Sequence, residues 1–356
     1  MASLPSTVVL DDDRSRRRAG WLGLAILTVV LVAGLLWAKW LPYTAKVGTL
    51  THDRVWPGSS IFASAGSAPS IAGAWQFTVT YLEAVWKALL VALLVGAAIA
   101  GIPGSWLERL TRGRGPLGQA IIAAAASMPC MMCTCCTAPV AVGLRRSGTP
   151  LAPTVAYWIG NPMLNPAVLV FLALVLPWQY AAVRIGVGLA VVLGAAVLVG
   201  RRREATQAPS GNHTASDTVT VRGLPRHYLR RLLSLALVLV PEYVVVVFAV
   251  GLVSSWASDF SALAASAGIL AVLLLAVVGT LLVIPTGGEI PVLVALVAAG
   301  VGAGPAGALL ITLPAVSLPS MVMVARSLSW RATLSVAGVV VIGGLVGAAA
   351  LALVMT

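Results

Sequence analysis

Apolar runs separated by short basic clusters set the pattern of the chain. Runs at about 21–41, 77–102, 151–176, 182–200, 232–256, 305–325 and 332–353 approach or exceed the ~20 residues a helix needs to cross a bilayer. Two further apolar segments are interrupted by helix breakers. Pro129 and Pro139 divide 117–144, and Pro285 and Pro291 divide 267–300. The pattern predicts an all-α polytopic membrane protein.

Composition narrows the choice. Of 356 residues, 59% are apolar and only 10% charged, against about 25% charged in soluble domains. That excludes a water-soluble enzyme, a disordered chain and a disulfide scaffold. The net charge of +12 raises nucleic-acid binding, and the position of the charges argues against it. Eighteen of the 23 basic residues fall in the clusters Arg14–Arg18, Arg109–Arg114, Arg145/Arg146, Arg201–Arg203, Arg222–Arg231 and Arg326/Arg331. Arginine between apolar spans marks cytoplasmic loops.

This ledger orients the spans. The basic leader 1–20 resembles a signal peptide, but the apolar run is too long and no Ala-x-Ala site follows. We read a cytoplasmic tail 1–20, an extra transmembrane helix 21–41 and an external loop 42–74. A first repeat follows at 75–200, a cytoplasmic linker at 201–231 and a second repeat at 232–356. Both flanks of 117–144 are basic, so it is expected to enter and leave on the cytoplasmic side as a broken re-entrant hairpin; 267–300 has no basic flank and is expected to do so from outside. Lys39, Lys46, Arg54 and Arg184 then lie outside, and Lys87 lies in the membrane.

The two interrupted segments match at an offset of 152 residues. Pro139 falls on Pro291, Gly148 on Gly300, Pro153 on Pro305, Pro162 on Pro314 and Asn165 on Ser317; with an offset of 159, Glu83 falls on Glu242. Each repeat holds three crossings plus a hairpin, so the copies insert in opposite directions. Inverted repeats with broken helices are a transporter signature.

Candidate chemistry sits at the breaks. Cys130, Cys133, Cys135 and Cys136 all lie within seven residues, and thiols are soft ligands suited to Cu(I), Hg(II), Zn(II) or trivalent arsenic. The four can converge on one bound atom, and they form a metal set if the substrate is a soft metal ion. Inert packing and a structural zinc are the competing readings. Glu289 begins the half-helix after the second break, as a helix-end acid or as a site carboxylate. Glu83, Glu242 and Glu289 are the proton-coupling candidates, with a Glu83–Lys87 ion pair as the rival for Glu83. Asn161, Asn165 and Ser317 flank prolines and either cap broken helices or touch substrate.

Cys133-Thr-Cys135-Cys136-Thr-Ala-Pro139 through Gly148, Asn161-Pro-Met-Leu-Asn165-Pro, Pro285-Thr-Gly-Gly-Glu289-Ile-Pro291 and Pro314-Ala-Val-Ser317-Leu-Pro319 resemble the predicted-permease family that contains the ArsP organoarsenical exporters. The resemblance covers about 75–330. It implies efflux of trivalent organoarsenicals with Cys133 and Cys135 as ligands. The chain departs from the usual C-S-C-G pattern, with Cys136 at the glycine and Cys130 additional.

The expected protein is an alternating-access permease of the bacterial cytoplasmic membrane, with a cytoplasmic N-terminus. It is not an enzyme, and it has no cofactor and no nucleic-acid partner. Its partners are the lipid bilayer and a soft small-molecule or metalloid substrate. A sulfur-compound transporter and a membrane thiol–disulfide oxidoreductase are the alternatives.

Overall fold

A computed structural model describes residues 7–57, 61, 69–99, 113–204, 224–254 and 268–356. Residues 205–223, with His213, where a linker is expected, and residues 100–112, with Arg109 and Arg112, lie outside the described set. Every described element is helical. They are α1 (Thr7–Leu35), a π turn (Leu36–Trp40), α2 (Leu41–Asp53), α3 (Ile71–Ile99), α4 (Pro116–Ser127), α5 (Thr134–Arg146), α6 (Leu151–Met163) and α7 (Pro166–Val175). There follow α8 (Trp178–Glu204), α9 (Leu224–Ser254), α10 (Ile269–Leu281), α11 (Glu289–Ala298), α12 (Ala303–Ala315), α13 (Leu318–Leu328) and α14 (Trp330–Met355).

Six helical stretches among the described residues are long and apolar enough to cross a membrane, and the bent pair α12–α13, with a 48° kink, makes a seventh. The interrupted segments hold the shorter helices α4, α10 and α11. Large apolar side chains such as Val29, Leu237, Val245, Ile342 and Leu353 remain exposed around the bundle. Lipid is the solvent that accommodates them. The N-terminal span is peripheral, with only 6% of its apolar window buried.

Two boundaries differ from expectation. The first helix does not end near residue 41: α2 carries it to Asp53, so part of the expected loop 42–74 is helical. Pro42 sits in the first turn, where a missing N–H is tolerated. The π turn just before it, with Leu41 N bonded to Leu36 O, widens the helix at that point. Arg54, in the left-handed region at φ 51°, ends the helix. The span expected at 182–200 begins at Trp178, and this moves Arg184 from the outer edge of the span to its second turn.

Helix boundaries recur at the offset read from the prolines. Adding 152 to the start of α6 (Leu151) gives the start of α12 (Ala303), Pro166 gives Leu318, and Trp178 gives Trp330. Gly148 and Gly300, one offset apart, both take positive φ, at 88° and 72°. At both places a tight turn reverses the chain, and only glycine adopts that conformation without strain.

The same contacts recur within each half. Pro116 and Ala152 both lie against Gly200, while Ala124 and Ser127 lie against Gly160, so α4 runs parallel to α6. Thr137 meets Trp158 across α5 and α6, which are joined by the Gly148 turn and run antiparallel. The segment from α4 to α5 therefore starts and finishes at one end of the bundle. In the second half Val272 lies against Gly304 and Gly279 against Thr312, again a parallel pair.

Between halves, the corresponding helices α3 and α9 are antiparallel, with Gly251 against Ala74 at one end and the Tyr228 hydroxyl donating to Leu94 O at the other. Glycine allows close approach elsewhere too. A Cβ at Gly96 would overlap the Pro139 carbonyl and one at Gly143 the Gly96 carbonyl, so α3 and α5 meet backbone to backbone.

Candidate functional site

The first break is built by backbone conformation. Met131 takes φ 50°, which a non-glycine residue adopts at a cost, and Cys133 is extended as the N-cap of α5. Asn161 holds the turn by accepting the Met132 N–H through Oδ1 at 2.7 Å. The Trp40 indole donates to Pro129 O at 2.8 Å, pinning the N-terminal helix against the break.

The four cysteines are free and buried, but they do not point to one place. Cys133 and Cys136, at the N-cap and third residue of α5, have sulfurs 3.1 Å apart. Cys135 Sγ lies 3.1 Å from Ser317 Oγ and 3.7 Å from the Tyr81 hydroxyl. Cys130 Sγ lies 3.2 Å from the Tyr157 hydroxyl. Among the described residues no three His, Cys, Asp or Glu side chains form a metal-ligand group. The expected convergence of four sulfurs on one atom is replaced by a close pair with two flanking thiols, because helix α5 fans successive side chains around its axis.

The two halves meet next to this pair, through Thr134 and Cys135. Ser317 is the N-cap of α13, in a capping box with Ser320, and it contacts both Thr134 and Cys135 across the interface. The Tyr81 hydroxyl donates to Ile284 O of the second break at 3.2 Å. Asn165 caps α7 through Ala167 N and Val168 N. The amide nitrogens of Asn161 and Asn165 are buried and have no partner among the described residues.

Glu289 is 1% exposed and ion-paired with Arg184 at 3.0 Å. Proline chemistry explains why an arginine sits there. Pro166 and Pro314 lack the N–H that would bond the carbonyls of Pro162 and Leu310, and the Asn165 cap takes the Ala167 N–H that would bond Met163 O. Arg184 donates to all three oxygens, at 2.9, 2.8 and 2.9 Å for Pro162, Leu310 and Met163. The expectation that Arg184 lies outside is therefore wrong. It is fully buried and ties the breaks of both halves together. In the same way Thr137 Oγ1 lies 3.1 Å from Trp158 O, the carbonyl that Pro162 leaves free, and 2.9 Å from Thr134 O of its own helix, sharing its proton between them.

The remaining acids separate. Glu242 Oε1 pairs with Arg326 at 3.2 Å. Glu83 makes no ion pair with Lys87 among the described residues; the Lys87 ammonium lies over Trp37 and Trp86 instead. Glu83 faces a cavity of 680 Å³ between the first helix, α3 and the second break. Lys39, expected outside, is 6% exposed and donates to the Tyr43 hydroxyl and Thr286 Oγ1 at 2.9 and 3.1 Å. The sequence reading missed Lys39, Arg184, Tyr81 and Thr286; the carbonyls freed by Pro166 and Pro314 were the one available signal for Arg184.

An all-helical membrane bundle with broken helices meeting at a buried polar junction is the architecture of a permease. The profile of the predicted permease family (ArsP_1) matches residues 70–353, and the chain belongs to that family. It is similar to the UPF0718 protein YraQ of Escherichia coli (strain K12), with 39% identity over 339 residues, which cover 93% of this chain and 95% of that protein. No solved structure matches the chain.

Proposed function

We propose that this permease of the bacterial cytoplasmic membrane exports a soft, thiol-reactive substrate, of which a trivalent organoarsenical is the model, by alternating access about the cysteine pair. The observation that carries the reading is the Cys133–Cys136 sulfur pair at a helix break, 3.1 Å apart, with the intervening Thr134 and Cys135 touching Ser317 of the opposite half. Two sulfurs at that spacing can bridge one arsenic(III) centre. Each As–OH replaced by As–S releases one water, the thiol supplying the proton, so bridging both sulfurs releases two. Cys135 and Cys130 stand by as exchange ligands, which lets the substrate leave stepwise. The resemblance implies Cys133 and Cys135 as ligands; the 3.1 Å sulfur contact brings in Cys136 as a partner of Cys133.

The 152-residue recurrence and the antiparallel packing of α3 on α9 support two inverted repeats. The start of α4 and the end of α5 at one level support a re-entrant hairpin there. Rocking of the halves would part Ser317 from Thr134 and Cys135. Glu289 Oε2, buried and without a partner among the described residues, is a proton-coupling candidate at the second break.

Uptake of a trivalent arylarsenical into everted vesicles tests the reading. Wild type should accumulate the compound, and Cys133→Ser and Cys136→Ser should not. Transport by both variants at the wild-type rate would exclude the site.

The same geometry favours one second reading. A C-x-x-C pair at a helix N-terminus is also the arrangement of dithiol redox centres. Reversible formation of a Cys133–Cys136 disulfide during turnover, with no transport of soft substrates, would favour it.

A further inference from the structure

The 680 Å³ cavity is lined by three lysines, Lys39, Lys46 and Lys87, and by one acid, Glu83. None of the three lysines is neutralised by a carboxylate among the described residues. Lys46 lies over the Trp56 ring at 3.5 Å, Lys87 over Trp37 and Trp86, and Lys39 is held by two neutral hydroxyls. Aromatic faces and hydroxyls position an ammonium without cancelling its charge.

Lys39 is the telling member. A buried cation without a counter-ion costs several kcal/mol and is retained in membrane proteins where function needs it. It lines the cavity, and Cys133 and Cys136 lie within electrostatic reach of its ammonium. Its bond to Thr286 places it against the second break.

We infer that the cavity is an anion-selective chamber, and that the substrate carries a negative group, such as a carboxylate, beside its soft thiol-reactive centre. The negative group sits on Lys39 and Lys46 while the soft centre reaches Cys133 and Cys136. This inference rests on the proposed cysteine site and adds the charge class of its substrate.

Two probes with the same arsenic(III) centre test it on the purified full chain, phenylarsine oxide and its 4-carboxy derivative. The readout is the concentration that half-protects the cysteines from a fluorescent maleimide. The carboxylate should protect at a concentration at least about tenfold lower, the equivalent of ~1.4 kcal/mol. In Lys39→Met/Lys46→Gln the two probes should become equivalent, and in Lys39→Arg the preference should persist. Lys46→Gln alone, at the outer part of the chamber, should lose part of the preference; it keeps the test valid if the double variant does not fold. Equal protection in wild type overturns the inference and leaves the cysteine site standing. A preference that survives in both Lys46→Gln and the double variant also overturns it. Protection by neither probe defeats the cysteine site, and this inference with it.

Discussion

Arg184→Met is the most demanding perturbation of the fold, because the guanidinium does two jobs. It neutralises Glu289, and it satisfies three carbonyls left free by proline and by an asparagine cap. Methionine keeps most of the volume and removes both. Stranding a buried carboxylate costs roughly 3–5 kcal/mol, and each unpaired carbonyl adds ~1 kcal/mol or more. A thermal shift of roughly 5–10 °C is expected, read by fluorescence-detected size exclusion after heating in detergent. Glu289→Gln should cost less, about 1–3 kcal/mol, because the guanidinium keeps its three carbonyl acceptors. The double variant Arg184→Met/Glu289→Gln should therefore melt above Arg184→Met alone. Two results would refute the reasoning: Arg184→Met melting within 2 °C of wild type, or a double variant showing the full sum of the two single losses.

Other expectations are simpler. Gly143→Leu should abolish the contact of α3 with α5 and yield aggregated protein on size exclusion, since even a Cβ there overlaps the Gly96 carbonyl. Thr137→Val, close in shape, should cost about 1–3 kcal/mol by leaving the buried Trp158 carbonyl unpaired, measured as a fall in Tm. Asn165→Ala removes the cap of α7 and should cost ~1 kcal/mol in the same assay. Mild oxidation with copper-phenanthroline should lower the intact mass of wild type, but not of Cys136→Ser, by two hydrogens, and the oxidised wild type should no longer take up phenylarsine oxide.

The prolines and glycines carried most of what was readable. Gly148 with Gly300 and Pro162 with Pro314 marked turns and breaks, because a missing N–H or a positive φ is a local property that residue identity reveals, whereas Pro139 and Pro291, expected to divide their segments, lie inside α5 and α11. The same local reasoning placed the cysteines at a break. It failed for Arg184 and Lys39, which it placed outside. Their partners Leu310 and Thr286 lie 126 and 247 residues away, and no local pattern records a carbonyl freed by a distant proline. It failed also for the cysteine geometry. Spacing showed that four thiols were near one another, but not that the extended backbone at Cys133 would bring its sulfur to 3.1 Å from that of Cys136.

The central claim is that Cys133 and Cys136 bind one soft centre together. Intact mass spectrometry of the purified chain, exposed to phenylarsine oxide and then alkylated, measures this directly. The account predicts one arsenical per chain and two fewer alkylated cysteines, mapped to Cys133 and Cys136, with no adduct in Cys133→Ser. Four cysteines still alkylated after exposure, or an adduct unaffected by that substitution, would contradict it.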